Sequence, residues 1–216
     1  GEPMRIIKEH GERKAEIVDV AQTLFTTKGY ANSTVNDILE ALNIAKGTFY
    51  HYFASKEAVM DAVIEKYIDA EIAAAKIIAG ENILTAHEKL FRILSCTGRE
   101  NEFGDRLENE ARAVGNADLH QRTMASIVTG LSPILADIVR QGIQEGTFNT
   151  EYPLECMEIL LAASEFLLHG SAFSWSCAQR QQKARALAWV AEKALGVEEG
   201  QFSYLYEKQE GHKEQL

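Results

Sequence analysis

The chain has 216 residues, of which 46% are hydrophobic and 25% are charged, so it can bury a core of ordinary size. It contains no apolar run of the roughly 18 residues that a membrane-spanning helix needs, and no charged-then-apolar leader. Its three cysteines, Cys96, Cys156 and Cys177, are widely spaced, which argues against a disulfide framework and a paired-cysteine zinc site. We therefore expect a soluble, cytoplasmic protein without a cofactor.

The net charge of -10 is distributed unevenly along the chain. Residues 1–56 carry seven basic and seven acidic side chains, whereas residues 57–216 carry 15 basic and 25 acidic side chains. Because an acidic surface is repelled by phosphates, any contact with nucleic acid is expected from the N-terminal segment. That segment can present Lys28, Lys46 and Lys56 on one side.

The first predicted element is an amphipathic helix from Glu12 to Lys28. Gly29 follows it at the position where glycine commonly ends a helix, and Lys28 suits the negative end of the helix dipole. Its apolar residues recur at the spacing of one helix face: Ile17, Val20, Ala21, Leu24 and Phe25.

A second, shorter helix is predicted to begin after Thr34, which is a favourable N-cap residue. Asn43 follows the last apolar position and readily adopts the left-handed conformation that a tight turn requires. The apolar positions of this helix have the spacing i, i+3, i+4 and i+7: Val35, Ile38, Leu39 and Leu42.

A third helix is predicted to begin near Ala45, and only Phe49 and Phe53 form its buried face. Two short helices joined by a tight turn, the second with exposed hydrogen-bonding groups, are typical of a helix-turn-helix. The remaining side chains of the third helix are suited to contacts with nucleic acid: Lys46, Gly47, Thr48, Tyr50, His51 and Tyr52.

The run from Ile38 to Glu57, I-x-E-A-x-x-I-A-K-G-T-F-Y-H-Y-F-x-S-K-E, closely resembles the DNA-binding segment of TetR-type transcriptional repressors. This resemblance covers the N-terminal quarter of the chain; the remainder is similar only in length and helical character. It implies that base edges are contacted by Lys46, Gly47, Thr48 and His51. It implies that the DNA backbone is contacted by Tyr50, Tyr52 and Lys56.

Ser33 and Thr34 precede the second helix, whose N-terminus favours a phosphate; alternatively they only cap the helix, and both roles can hold. The sequence departs from the family pattern at two positions. Ala45 stands where the family often has serine, and Asn43 where it often has glycine. Because alanine lacks a hydroxyl, we expect a weak cap on the recognition helix.

The resemblance and the helical pattern together predict an all-α fold of about nine helices. We expect a helix-turn-helix domain over residues 1–54, an effector-binding and dimerisation domain over residues 55–196, and a polar tail over residues 197–216. The alternative for part of this tail is one docked turn formed by Phe202, Tyr204, Leu205 and Tyr206. Ser55 is predicted to cap a helix that reaches Ala79 and links the two domains. Further helices are predicted near residues 83–97, 102–113, 117–144, 152–175 and 178–195.

The predicted helix over residues 154–175 is apolar on almost every side and must therefore be covered on both sides. The simplest cover is the same helix of a second copy, with the helix near residues 178–195 as its companion in a four-helix homodimer interface. The alternative is a helix buried within a monomer.

Apolar side chains of the C-terminal domain are candidates for a ligand pocket, with His87 or Glu165 as polar anchor; alternatively they are ordinary core residues. Glu165 and His169 also have the spacing of helical metal ligands, but two ligands do not make a site, and we expect no metal. The apolar candidates are Phe91, Phe103, Met124, Ile127, Met157, Leu161 and Phe166.

These features favour a DNA-binding transcriptional regulator, most simply a repressor that binds a palindromic operator as a dimer and is released by a small molecule. The alternative is an architectural or cell-division DNA-binding factor without an effector. We do not expect an enzyme, because the sequence has no nucleophile motif, phosphate-binding glycine loop or metal triad.

Overall fold

The computed structural model describes residues 10–96, 117–169 and 173–207, which form nine α-helices and one π-helical turn. The predicted all-α fold is confirmed. The predicted helix over residues 102–113 lies outside the described residues. The first four helices are α1 His10–Thr27, α2 Val35–Leu42, α3 Lys46–Tyr52 and α4 Lys56–Ala79. They agree closely with the helices expected from the apolar spacing.

The later helices are α5 to α9. Their bounds are α5 Ala86–Cys96, α6 Ala117–Glu145, α7 Pro153–Ser164, α8 Cys177–Leu195 and α9 Tyr204–Glu207. A π-helical turn, Glu165–His169, follows α7 directly. The expectation of one helix over residues 152–175 is therefore corrected: the α-helical hydrogen bonds end at Ser164, and residues 173–176 are not helical.

The contacts divide the described residues into two compact units, one with residues 10–67 and 117–120 and the other with residues 68–96, 121–169 and 173–207. The domain boundary expected at residue 54 stays a prediction, and the division by contacts falls inside α4. The physical reason is that the first turns of α4 bury Val59, Met60 and Val63, which are at most 1% exposed. The first part of α4 thus contributes to the core of the N-terminal unit.

The core of the N-terminal unit consists of the apolar faces that the sequence pattern predicts. Burying these side chains removes the apolar surface that drives helix packing. Its largest fully buried members come from all four helices: Ile17, Phe25, Ile38, Phe49, Val59, Met60 and Val63.

The core of the C-terminal unit is built around α6, which passes through Pro133 without ending. The stretch Gln121–Glu145 is long and apolar enough to cross a membrane by length and composition. Its apolar residues Leu131, Leu135 and Ile138 are nevertheless buried against the other helices, as expected for the core helix of a folded domain.

The segment after Gly196 contains the docked turn that the sequence allows within the polar tail of residues 197–216. The amides of Gly200 and Phe202 donate to Oε1 of the buried Glu192, at 2.9 and 2.8 Å. Phe202 is 2% exposed, and Tyr204 begins the short helix α9. Residues 197–207 therefore belong to the packed domain, because a buried carboxylate and an aromatic side chain hold them.

Candidate nucleic-acid interface

The N-terminus of α2 is closed by a reciprocal capping box. The Thr34 hydroxyl accepts a hydrogen bond from the Asp37 amide at 3.1 Å, and the Thr34 amide donates to the Asp37 carboxylate at 2.7 Å. Lys28 donates to the same carboxylate at 2.8 Å. These bonds, first that from Lys28 and then those from Thr34, lower the pKa of Asp37 from 3.8 to about 2. The carboxylate therefore occupies the position at the helix end that a phosphate would favour.

Ser33 has a structural role in the connection between α1 and α2. Its side chain is buried, and its hydroxyl donates to the carbonyls of Gly29 at 2.7 Å and Leu24 at 3.3 Å. Its amide also donates to the Gly29 carbonyl, at 3.1 Å. Both donors of Ser33 are thus used inside the protein, which leaves neither for the phosphate contact expected from the sequence.

The turn between α2 and α3 depends on Asn43, which has φ 49° and ψ 50°. Among non-glycine residues, asparagine tolerates this left-handed conformation comparatively well. The amide of Ile44 donates back to the carbonyl of Leu39 at 3.1 Å, which completes the end of α2. The predicted left-handed turn at Asn43 is confirmed.

The recognition helix α3 is held to the domain by its two phenylalanines. Phe49 is fully buried and Phe53 is 5% exposed. Ala45 is the N-cap residue and makes no side-chain capping bond, as the sequence predicts. The side chains of α3 that lie outside the core are polar or aromatic, with Thr48 and Tyr52 half-buried and Lys46, Tyr50 and His51 exposed.

Neither the space around Gly47 nor its backbone geometry requires a glycine at this position. A Cβ atom at this position would meet no atom within 4 Å, and the backbone has ordinary helical geometry. Glycine in a helix interior costs about 1 kcal/mol relative to alanine. The open space beside Gly47 instead allows the backbone of another molecule to approach α3 closely.

Of the three lysines expected on one side, two are engaged inside the unit. Lys28 pairs with Asp37, and Nζ of Lys56 donates to the carbonyls of Tyr30 and Ser33, both at 2.9 Å. Lys46 is exposed on α3, with its Nζ 5.9 Å from the centre of the Tyr50 ring. Among these three, Lys46 is therefore the lysine presented outward from the recognition helix.

The side chains proposed for a ligand pocket fall into two groups, one packed in the hydrophobic core and the other more exposed. Ile127, Met157 and Leu161 pack in the hydrophobic cluster of the second unit, as the alternative of ordinary core residues requires. His87 lies against Phe148, with ring centres 4.7 Å apart, and burial lowers its pKa despite the charge of Glu145.

The other pocket candidates are less buried. Phe91 is 43% exposed and contacts Tyr204, with ring centres 4.9 Å apart; Phe166 is 47% exposed and contacts Phe173 at 5.4 Å. Met124 and Glu165 are half-buried. Phe103 and the side chain of His169 lie outside the described part of the chain. Within that part, no three metal-ligating side chains converge.

Asp37 and the carbonyls that bind Lys56 have roles that were not predicted from the sequence. The pattern Thr34-x-x-Asp37 is itself a capping-box signature, so the sequence carried the signal for Asp37. No sequence signal marks the carbonyls of Tyr30 and Ser33, because only the folded connection between α1 and α2 aims them at one point.

Comparison with known proteins gives two family matches. Residues 17–63 match the family described as "Bacterial regulatory proteins, tetR family". Residues 102–190 match "Tetracyclin repressor-like, C-terminal domain". The first match includes all of α2 and α3.

One curated relative is the HTH-type transcriptional repressor KstR2 of Rhodococcus jostii, which is 40% identical over 57 residues. That alignment covers 26% of this chain and 28% of the repressor, so the chain spans less than a third of the length of this relative.

Among solved structures, a transcriptional regulator from Cytophaga hutchinsonii has a TM-score of 0.65 at 20% identity, covering 86% of this chain and 97% of the regulator. RolR in complex with resorcinol has a TM-score of 0.60 at 19% identity, covering 92% of this chain and 94% of RolR. At these identities the likeness shows the fold.

Proposed function

Because this chain belongs to the TetR family of bacterial DNA-binding transcriptional regulators, we propose that it is a homodimeric repressor of a palindromic operator, released by a small-molecule effector. The observation that carries the proposal is the outward surface of α3. This helix buries Phe49 and leaves its polar side chains and Gly47 outward, although the domain itself has no use for a glycine there.

On the DNA, α3 enters the major groove with its N-terminal half toward the bases. Lys46 donates to guanine or phosphate, Gly47 allows close approach, and the hydroxyl and methyl of Thr48 contact base edges, with His51 one turn further on. The groups that contact the DNA backbone are Tyr50 and Tyr52, since the hydroxyl and amide of Thr34 both donate to the Asp37 carboxylate.

Pairing of two copies would cover apolar side chains that one copy leaves exposed on α7, the π-helical turn and α8. Large exposed apolar patches mark interaction surfaces, and a two-fold interface uses the same patch on both subunits. The exposed residues are Ile159 (67%), Phe166 (47%), Leu167 (36%), Trp189 (49%) and Val190 (45%).

Effector release would act through the distance between the two recognition helices. Two copies of α3 must enter successive major grooves about 34–36 Å apart. The helix α4 belongs to both units of the chain, so a ligand in the C-terminal unit can change where the N-terminal unit stands. The fold resemblance to RolR, which is known with resorcinol, favours small aromatic compounds as the first effectors to test.

The test begins with selection from a random double-stranded DNA library by the full-length protein. A palindromic consensus is expected. Thr48→Ala should relax the preference at one base pair by roughly 1–3 kcal/mol, whereas Tyr50→Ala should weaken consensus and random DNA alike. Enrichment of no sequence would refute the repressor, and many unrelated sites would indicate an architectural factor.

Two further measurements test the dimer and the effector. Sedimentation should show a dimer that Trp189→Glu dissociates and that Ile77→Glu, at an apolar side chain of α4 that is 69% exposed, leaves intact. Phenols, flavonoids, acyl-CoAs and lipophilic cations are then screened by thermal shift, and a true effector must also lower operator affinity. A ligand that stabilises the protein without lowering that affinity would count against release.

A further inference from the structure

We propose that Lys56 is a positioning residue for DNA recognition, which places α2 and α3 by binding the connection between α1 and α2, rather than a residue that contacts phosphate. This inference rests on the proposed DNA-binding function. It assigns to Lys56 a role different from the phosphate contact that its place in the sequence motif implies.

The geometry around the Lys56 ammonium is that of an internal cation site. Its Nζ lies 2.9 Å from the carbonyl oxygen of Tyr30 and 2.9 Å from that of Ser33. The centre of the Tyr30 ring is 3.9 Å from the same atom, within the range of a cation-π interaction. A lysine ammonium has three N–H donors, and two of them are used by these carbonyls.

The two carbonyls belong to a rigid part of the domain. The Tyr30 ring is 8% exposed and packs edge-on against Phe25, with ring centres 5.0 Å apart. Ser33 is 1% exposed and is fixed to the end of α1 by its hydroxyl bond to Gly29. The ammonium therefore holds the first residue of α4 against the end of α1 and the residue before the N-cap of α2.

The position of Lys56 in its helix supports this role. A cation at the first residue of a helix lies at the positive end of the dipole and is unfavourable there. Two carbonyl dipoles and an aromatic face compensate for that placement. The neighbouring Glu57 is kept charged, because hydrogen bonds to its own amide, to Ser55 and to Tyr30 lower its pKa. The local charges are therefore balanced within the domain, before any DNA is present.

This cation site fixes the positions of the helices against which α3 packs. Since α3 lacks a side-chain cap and buries Phe49 between its neighbours, its orientation depends on where α1, α2 and α4 stand. Loss of the Lys56 bonds would loosen the connection at Tyr30 and Ser33, and with it the alignment of α3 to base edges. The affinity for the operator would fall more than the affinity for random DNA, because nonspecific binding depends on phosphate contacts.

The experiment compares Lys56→Met with Lys66→Met as matched control, in the full-length protein. Lys66 lies on the same helix, and its Nζ pairs with Asp19 at 2.6 Å. Affinities for the selected operator and for random DNA are measured over a range of salt concentrations. We expect Lys56→Met to lower the operator affinity at least tenfold and the random-DNA affinity much less. The slope of log affinity against log salt should stay unchanged, and Lys66→Met should change neither affinity.

Two outcomes would overturn the proposal. A direct phosphate contact would make operator and random DNA lose affinity equally, with the salt slope reduced by about 0.9 per lost contact. A purely structural role would lower Tm and leave both affinities unchanged below the transition.

If Lys56→Met does not fold, Tyr30→Leu serves as the second variant, because it removes the aromatic face and retains the ammonium. A lower operator-to-random affinity ratio supports positioning, and an unchanged ratio contradicts it. Selection of no operator by the wild-type protein would instead refute the proposed function itself.

Discussion

The helices α2 and α3 are neighbours of similar length, yet they are stabilised in different ways. α2 has a complete capping box between Thr34 and Asp37 at its start and a left-handed Asn43 at its end. α3 has no side-chain capping bond, and its N-cap residue is Ala45. Local hydrogen bonds thus define α2, whereas α3 depends on packing of Phe49 and Phe53.

This difference shows how the domain divides structural and recognition roles. The capping groups of α2, Thr34 and Asp37, are bonded within the protein, so the start of α2 acts as a support. The polar side chains of α3 lie outside the core, where a partner can reach them. A helix that serves a binding surface must be anchored by few residues, and substitution of those residues should have the largest effect.

Phe49→Ala tests the packing of α3 and should have the largest effect on stability. Removing a fully buried phenylalanine from a core costs about 3–5 kcal/mol. Tyr50→Ala, at the adjacent and 46% exposed aromatic residue, should change stability by only about 0.5 kcal/mol. Chemical denaturation followed by circular dichroism measures both. Equal losses would contradict the assignment of Phe49 as the anchor.

Gly47→Ala should separate folding from recognition on α3. A helical glycine with open space beside it gains up to about 1 kcal/mol of stability on replacement by alanine. The added methyl group should at the same time weaken operator binding, because it prevents close approach. Gly11→Ala on α1, where a Cβ also meets no atom within 4 Å, is the control for stability without loss of affinity. Unchanged operator affinity for Gly47→Ala would show that DNA does not approach there.

Ala45→Ser would give α3 the kind of cap that α2 has. A side-chain oxygen at the N-cap contributes about 0.5–1 kcal/mol by accepting a bond from a free amide of the first turn. The Tm measured by calorimetry should therefore rise by a small amount. No rise would mean that the packing of Phe49 already fixes α3 in its final geometry.

The capping box of α2 should show a pH dependence that α3 lacks. Because the folded-state pKa of Asp37 is lowered from 3.8 to about 2, its contribution to stability is present above 3.8 and is lost as the pH falls through about 2. The difference in Tm between wild type and Asp37→Asn should shrink over that window. Since Asp37 lies at the surface, the effect is small and should weaken in high salt. A difference that grows on acidification would contradict the lowered pKa.

Periodic apolar residues and cap signals were sufficient to predict most elements of the fold. They placed α1, α2, α3 and α4 within a few residues, because helix faces and caps are local properties of the chain. They overextended the helix of residues 152–175, because a change to π-helical hydrogen bonding at Glu165 has no marker in composition. They allowed one docked turn after Gly196, but the buried Glu192 that binds the amides of Gly200 and Phe202 has no marker in the sequence.

The candidate interface was predictable from the sequence only in part. The exposed groups of α3 follow from the spacing of Phe49 and Phe53, so the sequence alone determined which side chains are presented outward. The roles of Ser33 and Lys56 required the tertiary structure. The Ser33 hydroxyl donates to the carbonyls of Leu24 and Gly29. The Lys56 ammonium donates to carbonyls 26 and 23 residues earlier in the chain, and only the packed helices bring these groups within 2.9 Å.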